Sequence, residues 1–279
     1  MTSPPDLEAL ARGAVRGDQE SLRELCRNLQ HIVYRLALQF FSSREDAEDA
    51  TQEILVKVIT NLGSFEGRSK LTTWVYTIAT RHLIRMRAGS VEPLVRGPEE
   101  FAEWLDRNMT SPYDAESEAE YRLLCGEVRI ACTYGMLLCL GREQRAAYLL
   151  GDLIGLSDAE GAEALGITPA AFRQRLARAR RVMRSIIAGR CGLVDASNPC
   201  RCSRQVEPSL REGIMARDRL QFATHPGVTG PIPADTLRNA AAQLDTAEAI
   251  AELYRAAPAF RAPDEVYAAL QRSAPDLLG

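Results

Sequence analysis

An all-α fold is predicted by three observations. Apolar residues recur at three- and four-residue spacing along most of the 279-residue chain. Polar capping residues stand where those stripes begin, and no segment shows sustained two-residue alternation. The stripes group into two small helical domains joined by a linker and followed by a helical C-terminal extension.

Residues 19–41 carry one stripe through Leu22, Leu25, Leu29, Ile32, Val33, Leu36 and Phe40, the pattern of a helix with a single buried face. Ser43 is placed to cap a second helix running to about Leu62, with Asp46 at the capping-box position. Its inner face reads Ala47, Ala50, Ile54, Leu55, Val58 and Leu62. The loop GSFEGRSK then leads to a third helix, from about Leu71 to Arg87. Residues 88–116 change character, with three prolines, few large apolar residues and an excess of acid. They predict an acidic linker over about 89–117 holding a short helix around Phe101–Leu105. Helices resume near Glu118 and run to residue 190. Residues 191–279 predict further amphipathic helices at about 207–223, 234–256 and 263–272, separated by the turns HPGVTGPIP and APAFRAPD.

The sharpest motif lies between residues 141 and 190. Ser157 with Glu160 forms a capping-box pattern, Gly166 suits a left-handed helix stop, and Thr168-Pro169 opens the next helix. Two helices joined by so tight a turn predict a helix-turn-helix. The second helix buries Phe172, Leu176, Ala179, Met183, Ile186 and Ile187. Ala170, Ala171, Gln174 and Arg178 face away from that stripe; Arg173, Arg180 and Arg184 flank it on one side and Arg175 on the other. Between Ala164 and Val194 there are seven arginines and no acids. Clustered cations suit phosphate, while Gln and Arg at exposed positions suit adenine and guanine edges. A duplex-DNA reader follows from the agreement of caps, turn and one-sided charge.

The whole-chain balance localises that charge. Net charge is only −3, so acid elsewhere offsets the basic helix. Of 34 basic residues only Lys57 and Lys70 are lysines. No segment is apolar and long enough to span a bilayer, and MTSPPDLEALARG lacks the apolar core of a secretion signal. Seven cysteines in such a chain predict cytoplasmic thiols or metal ligands rather than structural disulfides. Gly-rich phosphate loops and paired catalytic groups are absent, so no catalytic residues and no enzyme activity are expected.

Two further constellations lie in the first domain. Asp49, Gln52 and Glu53 share the polar side of the second helix, with Asp49 and Glu53 at i,i+4 spacing. Such a cluster invites a cationic partner, although acids near a helix N-terminus also suit a plain solvated face. In FEGRSKLTTWVYTIATRHLIRMR, aromatics alternate with Arg68, Lys70, Arg81, His82, Arg85 and Arg87. Aromatic platforms beside cations suit unpaired bases, and Trp74 reads equally well as core.

The segment REDAEDATQEILVKVITNLGSFEGRSKLTTWVYTIATRHLIRMR resembles region 2 of the bacterial extracytoplasmic-function (ECF) sigma factors, of the sigma-70 family. LGREQRAAYLLGDLIGLSDAEGAEALGITPAAFRQRLARARR resembles their region 4, in the same order, and the two cover about 20–187. The resemblance implies a factor that binds core RNA polymerase and directs promoter-specific initiation. Region 2 would occupy residues 1–88 and region 4 residues 118–190. It implies that Asp49, Gln52 and Glu53 dock on the β′ clamp, that region 4 meets the β flap, and that the linker threads toward the RNA exit path. It places Phe65, Gly67, Arg68, Ser69, Lys70, Thr72, Thr73 and Trp74 where the −10 element is melted, with Arg81, His82 and Arg85 on the nearby duplex. It places Thr168, Ala170, Ala171, Arg173, Gln174, Arg175 and Arg178 on the −35 element. An anti-sigma factor is a further candidate partner. The chain departs from the family at Arg81 and Arg85, where Asn and Asp are common. It departs also at Gly141 for the usual proline, and at Ala170-Ala171 for Gly-Thr. Residues alone leave two other readings open, a helix-turn-helix regulator acting without polymerase and a thiol-sensing helical adaptor.

The extension begins CGLVDASNPCRCSRQV, which places Cys191, Cys200 and Cys202 within twelve residues. Three clustered thiols form a candidate site for zinc or another soft metal, with His225 or Asp195 to complete it. Cys125, Cys132 and Cys139 recur every seven residues on one helical side and read as core packing. Some ECF sigma factors resemble this plan, with a cysteine-rich C-terminal domain that senses metal or redox state.

Overall fold

A computed structural model describes residues 5–95, 97–226, 246–255 and 257–275. Among them the architecture is all-α. Helix α1 (Leu7–Val15), which the apolar pattern did not reveal, starts at Asp6, whose carboxylate accepts from Ala9 N. Helix α2 (Gln19–Phe41) is capped by Asp18 and ends on Ser42, the one described non-glycine residue at positive φ. Helix α3 (Arg44–Thr60) starts at Ser43 as predicted. The Asp46 carboxylate, however, accepts from Ser90 N and Oγ, both at 2.7 Å, and so ties the end of the first domain back onto α3. Helix α4 spans Leu71–Arg85.

The linker is partly helical. Helix α5 (Pro98–Arg107) is longer than predicted, because Pro98 at its first turn and Glu99 and Glu100 beside it all favour an N-terminus. Its Asp106 pairs with Arg190 at 2.9 Å, and it packs against α9 (Pro169–Ile187). Helix α6 (Glu118–Leu138) runs through the middle of the molecule and touches α2 and α9. Helix α7 (Arg142–Tyr148) continues into one π-helical turn, Leu149–Leu153. Then come α8 (Asp158–Leu165) and α9, the predicted helix-turn-helix, with the Ser157–Glu160 capping box complete and Gly166 at φ 66°. Gly161 lets the two helices meet: a Cβ there would lie 2.3 Å from the buried Phe172 ring.

The extension packs back onto the two domains. Helix α10 (Cys202–Arg211) starts earlier and ends sooner than the predicted 207–223, with Gly213 at φ 70° beyond it. The turns that follow need no helix, since the buried Glu127 carboxylate accepts from the backbone N–H groups of Gln221, Phe222 and Ala223 at 2.7–2.9 Å. Helix α11 (Thr246–Arg255) packs on α9, and the rest of its predicted span lies outside the described residues. Helix α12 (Asp264–Ser273) packs on α3 and α2. One apolar cluster runs continuously from Ala11 to Leu270. Both domains, the linker and helices α11 and α12 share that core, while Val206 of α10, Met215 and Leu220 pack with Leu124 and Val128 of α6 in a second, smaller cluster.

Two arginines organise the junction. Arg145, 1% exposed, donates to the carbonyls of Phe40, Leu137 and Leu140 at 2.6, 3.0 and 3.1 Å. Arg142 donates to those of Leu83, Ile84 and Arg87 at 3.2, 3.2 and 2.8 Å. Unpaired carbonyls at a helix C-terminus carry partial negative charge, so one cation can cap several ends at once. Here α2, α4 and α6 converge on two guanidinium groups, with Glu92 between them at 2.6 Å from Arg142 and 3.0 Å from Arg145.

Candidate nucleic-acid interface

Helix α9 presents its predicted polar face to solvent. Thr168, Ala170, Gln174 and Arg178 are exposed, and Ala171 is half-buried. Thr168 also caps the helix, accepting from Ala171 N at 3.2 Å. The flanking arginines differ from expectation, since several are held by acids of the same domain. Arg173 lies 3.4 Å from Asp158, Arg175 lies 2.8 Å from Glu143, and Arg180 grips Asp152 with two nitrogens. These pairs aim the side chains along the helix-turn-helix and reduce their free charge. Arg178, Arg181 and Arg184 have no ion pair among the described residues, so they carry the available positive face.

The aromatic-basic segment precedes and forms α4. Phe65 and Trp74 sit with ring centroids 5.5 Å apart, both half-buried against the core. They are thus core-supported on one side and open on the other. Gly67 turns the loop at φ 70°, and Arg68, exposed, pairs with Glu66 at 3.0 Å. Ser69 and Thr72 are half-buried, and Lys70 is exposed. Thr73 is 2% exposed: it lies on the core side of α4 with Tyr76 and Leu83, where it supports the surface without forming part of it. The first turn of α4 has a cap that sequence reasoning missed, as Leu71 N donates to the Glu8 carboxylate of α1 at 3.1 Å.

The remaining α4 residues reach other elements. His82 Nε2 lies 3.0 Å from the Glu53 carboxylate, which joins the predicted acidic and DNA faces. Burial, only partly opposed by Glu53, holds the His82 imidazole below its ordinary pKa. Arg81 donates to the carbonyls of Ala164 and Glu163 at 3.2 and 3.1 Å, at the C-terminal end of α8. Arg85 is exposed. On α3, Asp49 and Glu53 are exposed and Gln52 half-buried, so the acidic face stays open although α12 packs elsewhere on that helix. Among the described residues the extension covers neither this face nor the Thr168–Arg178 strip, and α8 is what stands over part of α4.

The thiols arrange differently from the predicted metal site. Cys191, Cys200 and Cys202 line a cavity of about 890 Å³ together with Cys125 and Cys132 of α6, which therefore do more than fill core. His225 is not among its lining residues and is hydrogen-bonded to Tyr34 Oη at 2.7 Å and packed on Phe260. Asp195 instead accepts from Ser197 N and Oγ at 2.8 Å. Among the described residues no group of three His, Cys, Asp or Glu side chains is arranged to hold a metal ion.

Comparison with known proteins identifies two family signatures, described as Sigma-70 region 2 over residues 25–90 and Sigma-70, region 4 over residues 130–183. The chain is 29% identical to the ECF RNA polymerase sigma factor SigM of Mycobacterium tuberculosis over 176 residues, 63% of this chain and 81% of that protein. It is 29% identical to the RNA polymerase sigma-H factor of Pseudomonas aeruginosa over 184 residues, 64% and 92% of the two chains. It is 31% identical to the ECF RNA polymerase sigma factor SigE of Mycolicibacterium smegmatis over 182 residues, 62% and 65% of the two.

Proposed function

Because the chain belongs to the extracytoplasmic-function group of the sigma-70 family, we propose that it joins core RNA polymerase in the cytoplasm and directs it to promoters. The observation that carries this reading is the pairing, in one chain and in the same order, of an open acidic α3 face with an exposed reading strip on α9. Asp49, Gln52 and Glu53 dock on the β′ clamp, and the second domain meets the β flap. Phe65 and Trp74, with Arg68 and Lys70, receive unstacked bases of the −10 element, since stacking recovers part of the few kcal/mol spent on opening each base. Gln174 and Arg178 read −35 base edges, while Arg181 and Arg184 grip phosphate. No chemistry is asked of the chain itself; polymerase supplies it.

The same reading makes the described arrangement a closed one. Arg81, assigned to duplex DNA, is bonded to α8 of the other DNA-reading domain. One face of α4 cannot hold α8 and DNA together, so the α4–α8 contact opens when polymerase and promoter are engaged.

Transcription from pooled genomic fragments with purified core polymerase tests the proposal. Transcripts with defined starts are expected only when the chain is added, and Asp49→Lys should abolish them without weakening binding of the free chain to duplex DNA. Tight duplex binding with no polymerase-dependent transcript would instead mark a conventional helix-turn-helix regulator.

A further inference from the structure

The thiol-lined cavity between α6 and the segment after α9 holds a feature that neither the promoter-directing reading nor the family signatures account for. Cys191 and Cys200 are opposite members of an isolated parallel β-bridge. The bridge is made by Cys200 N donating to Arg190 O at 3.0 Å and Gly192 N donating to Cys200 O at 3.1 Å. Neighbouring strands of such a ladder lie about 4.8 Å apart, and directly opposed residues present their side chains to the same side. A disulfide requires Cα atoms about 4.4–6.8 Å apart. The backbone thus already holds these two cysteines within bonding range, although both are free thiols. Both side chains also line the same cavity, which gives a small reagent a way in.

We propose that Cys191 and Cys200 form a reversible disulfide, a modification site that ties the end of α9 to the start of α10, with a low-molecular-weight disulfide as the oxidant. Cys200 reacts first, because the Gln205 side-chain amide lies 3.7 Å from its sulfur and donates to it. Its thiolate attacks one sulfur of the oxidant; the S–S bond of the oxidant breaks, one thiol leaves with a proton, and a mixed disulfide remains on Cys200. The Cys191 thiolate then attacks the Cys200 sulfur and expels the second small thiol, which takes up the other proton. Two protein thiols lose two electrons and two protons, and one oxidant molecule becomes two thiols. Burial pushes the Cys200 thiol up to about 11.

The bond would act on the DNA-reading domain through a short lever. Cys191 follows the last residue of α9 by four positions, and its N–H still bonds back to Ile187 O at 3.1 Å. Cys200 precedes α10 by two positions, and α10 is packed on α6. Closing the ring removes freedom from the segment through which α9 is attached to the rest of the core.

The test uses the full chain without polymerase or DNA, so its outcome is independent of the promoter-directing reading. Folded protein is incubated with glutathione disulfide, free thiols are blocked with N-ethylmaleimide, and the linkages are mapped by peptide mass spectrometry. The expected result is loss of two of the seven thiols counted after denaturation, a single internal Cys191–Cys200 linkage, and full recovery on reduction. Cys191→Ser and Cys200→Ser should each remove the linkage while Cys202→Ser retains it, with helix content by circular dichroism confirming that each variant folds. Mixed disulfides that never resolve into the internal bond, or a linkage dominated by any other pair such as Cys200–Cys202 or Cys125–Cys132, would overturn the assignment. No reaction of the folded wild-type chain under conditions that oxidise the denatured chain would overturn it equally.

Discussion

Replacing Glu92 with Gln addresses the junction that holds the two DNA-reading domains together. The carboxylate is 16% exposed and lies between Arg142, 20% exposed, and Arg145, 1% exposed. Removing one partner of a buried pair typically costs about 3–5 kcal/mol, because the other charge stays buried. Arg145 keeps its bonds to the carbonyls of Phe40, Leu137 and Leu140, and Arg142 keeps those at the end of α4. The loss should therefore fall to about 2–3 kcal/mol at pH 7, a factor of roughly 30–150 in the unfolding equilibrium. Urea denaturation of parent and variant measures it directly. The pH dependence sharpens the test. Burial raises the Glu92 pKa, but the Arg142 hydrogen bond and the charges of Arg145 and Arg142 outweigh it and leave the carboxyl below its ordinary 4.5. A carboxyl so depressed contributes stability that is present above about 4.5 and is lost as pH falls through its folded value. Protonated Glu92 is nearly an isostere of Gln, so the two proteins should converge in acid. A gap below about 0.5 kcal/mol at pH 7, within the range of ordinary surface substitutions, or one that persists unchanged well below pH 4.5, would refute the reasoning.

Other substitutions probe the helix-turn-helix. Gly161→Ala drives a methyl into the Phe172 ring, with the nearest atom at 2.3 Å. It should destabilise the chain by about 1–3 kcal/mol, measured by thermal unfolding, and Phe172→Leu should relieve part of that loss. Arg178→Ala should weaken binding of the α9 target duplex by about 1–3 kcal/mol, measured by fluorescence anisotropy. Arg180→Ala, whose guanidinium is already committed to Asp152, should weaken it by less; equal losses would mean that the intradomain pairs do not ration charge on α9.

Helix starts were legible wherever a polar cap stood next to an apolar stripe. Ser43, Ser157 with Glu160, and Thr168 with Pro169 each open the helix predicted for them. Local hydrogen bonds decide such positions, and local sequence reports them. Helix α1 escaped notice because its stripe is only nine residues long; its significance lies in Glu8 capping α4, a contact sixty-three positions away. The reading strip on α9 was legible because burial of Phe172, Leu176 and Met183 leaves Gln174 and Arg178 no other side. The pairing of Arg173, Arg175 and Arg180 was not, since their acids lie on α7, the π turn and α8. Seven-residue spacing placed Cys125 and Cys132 on one side of α6 but was silent about what faces them. Arg142 and Arg145 read as ordinary basic residues, because nothing local distinguishes a solvated guanidinium from one that caps distant helices.

The bonds from Arg81 to the carbonyl end of α8 set an exchange rate between the chain and its partners. On the proposed reading, promoter DNA can use the Arg81 face of α4 only in molecules where that contact is already broken or becomes broken on binding. The free chain's affinity for DNA at that α4 face is therefore the intrinsic affinity reduced by the open fraction. If one molecule in a hundred is open, DNA binding at that face looks about a hundredfold weaker than the open form alone would give. A change that shifts the end of α8, and with it the Ala164 and Glu163 carbonyls that Arg81 holds, would then tune how readily transcription starts by changing how often the protein lets go of itself.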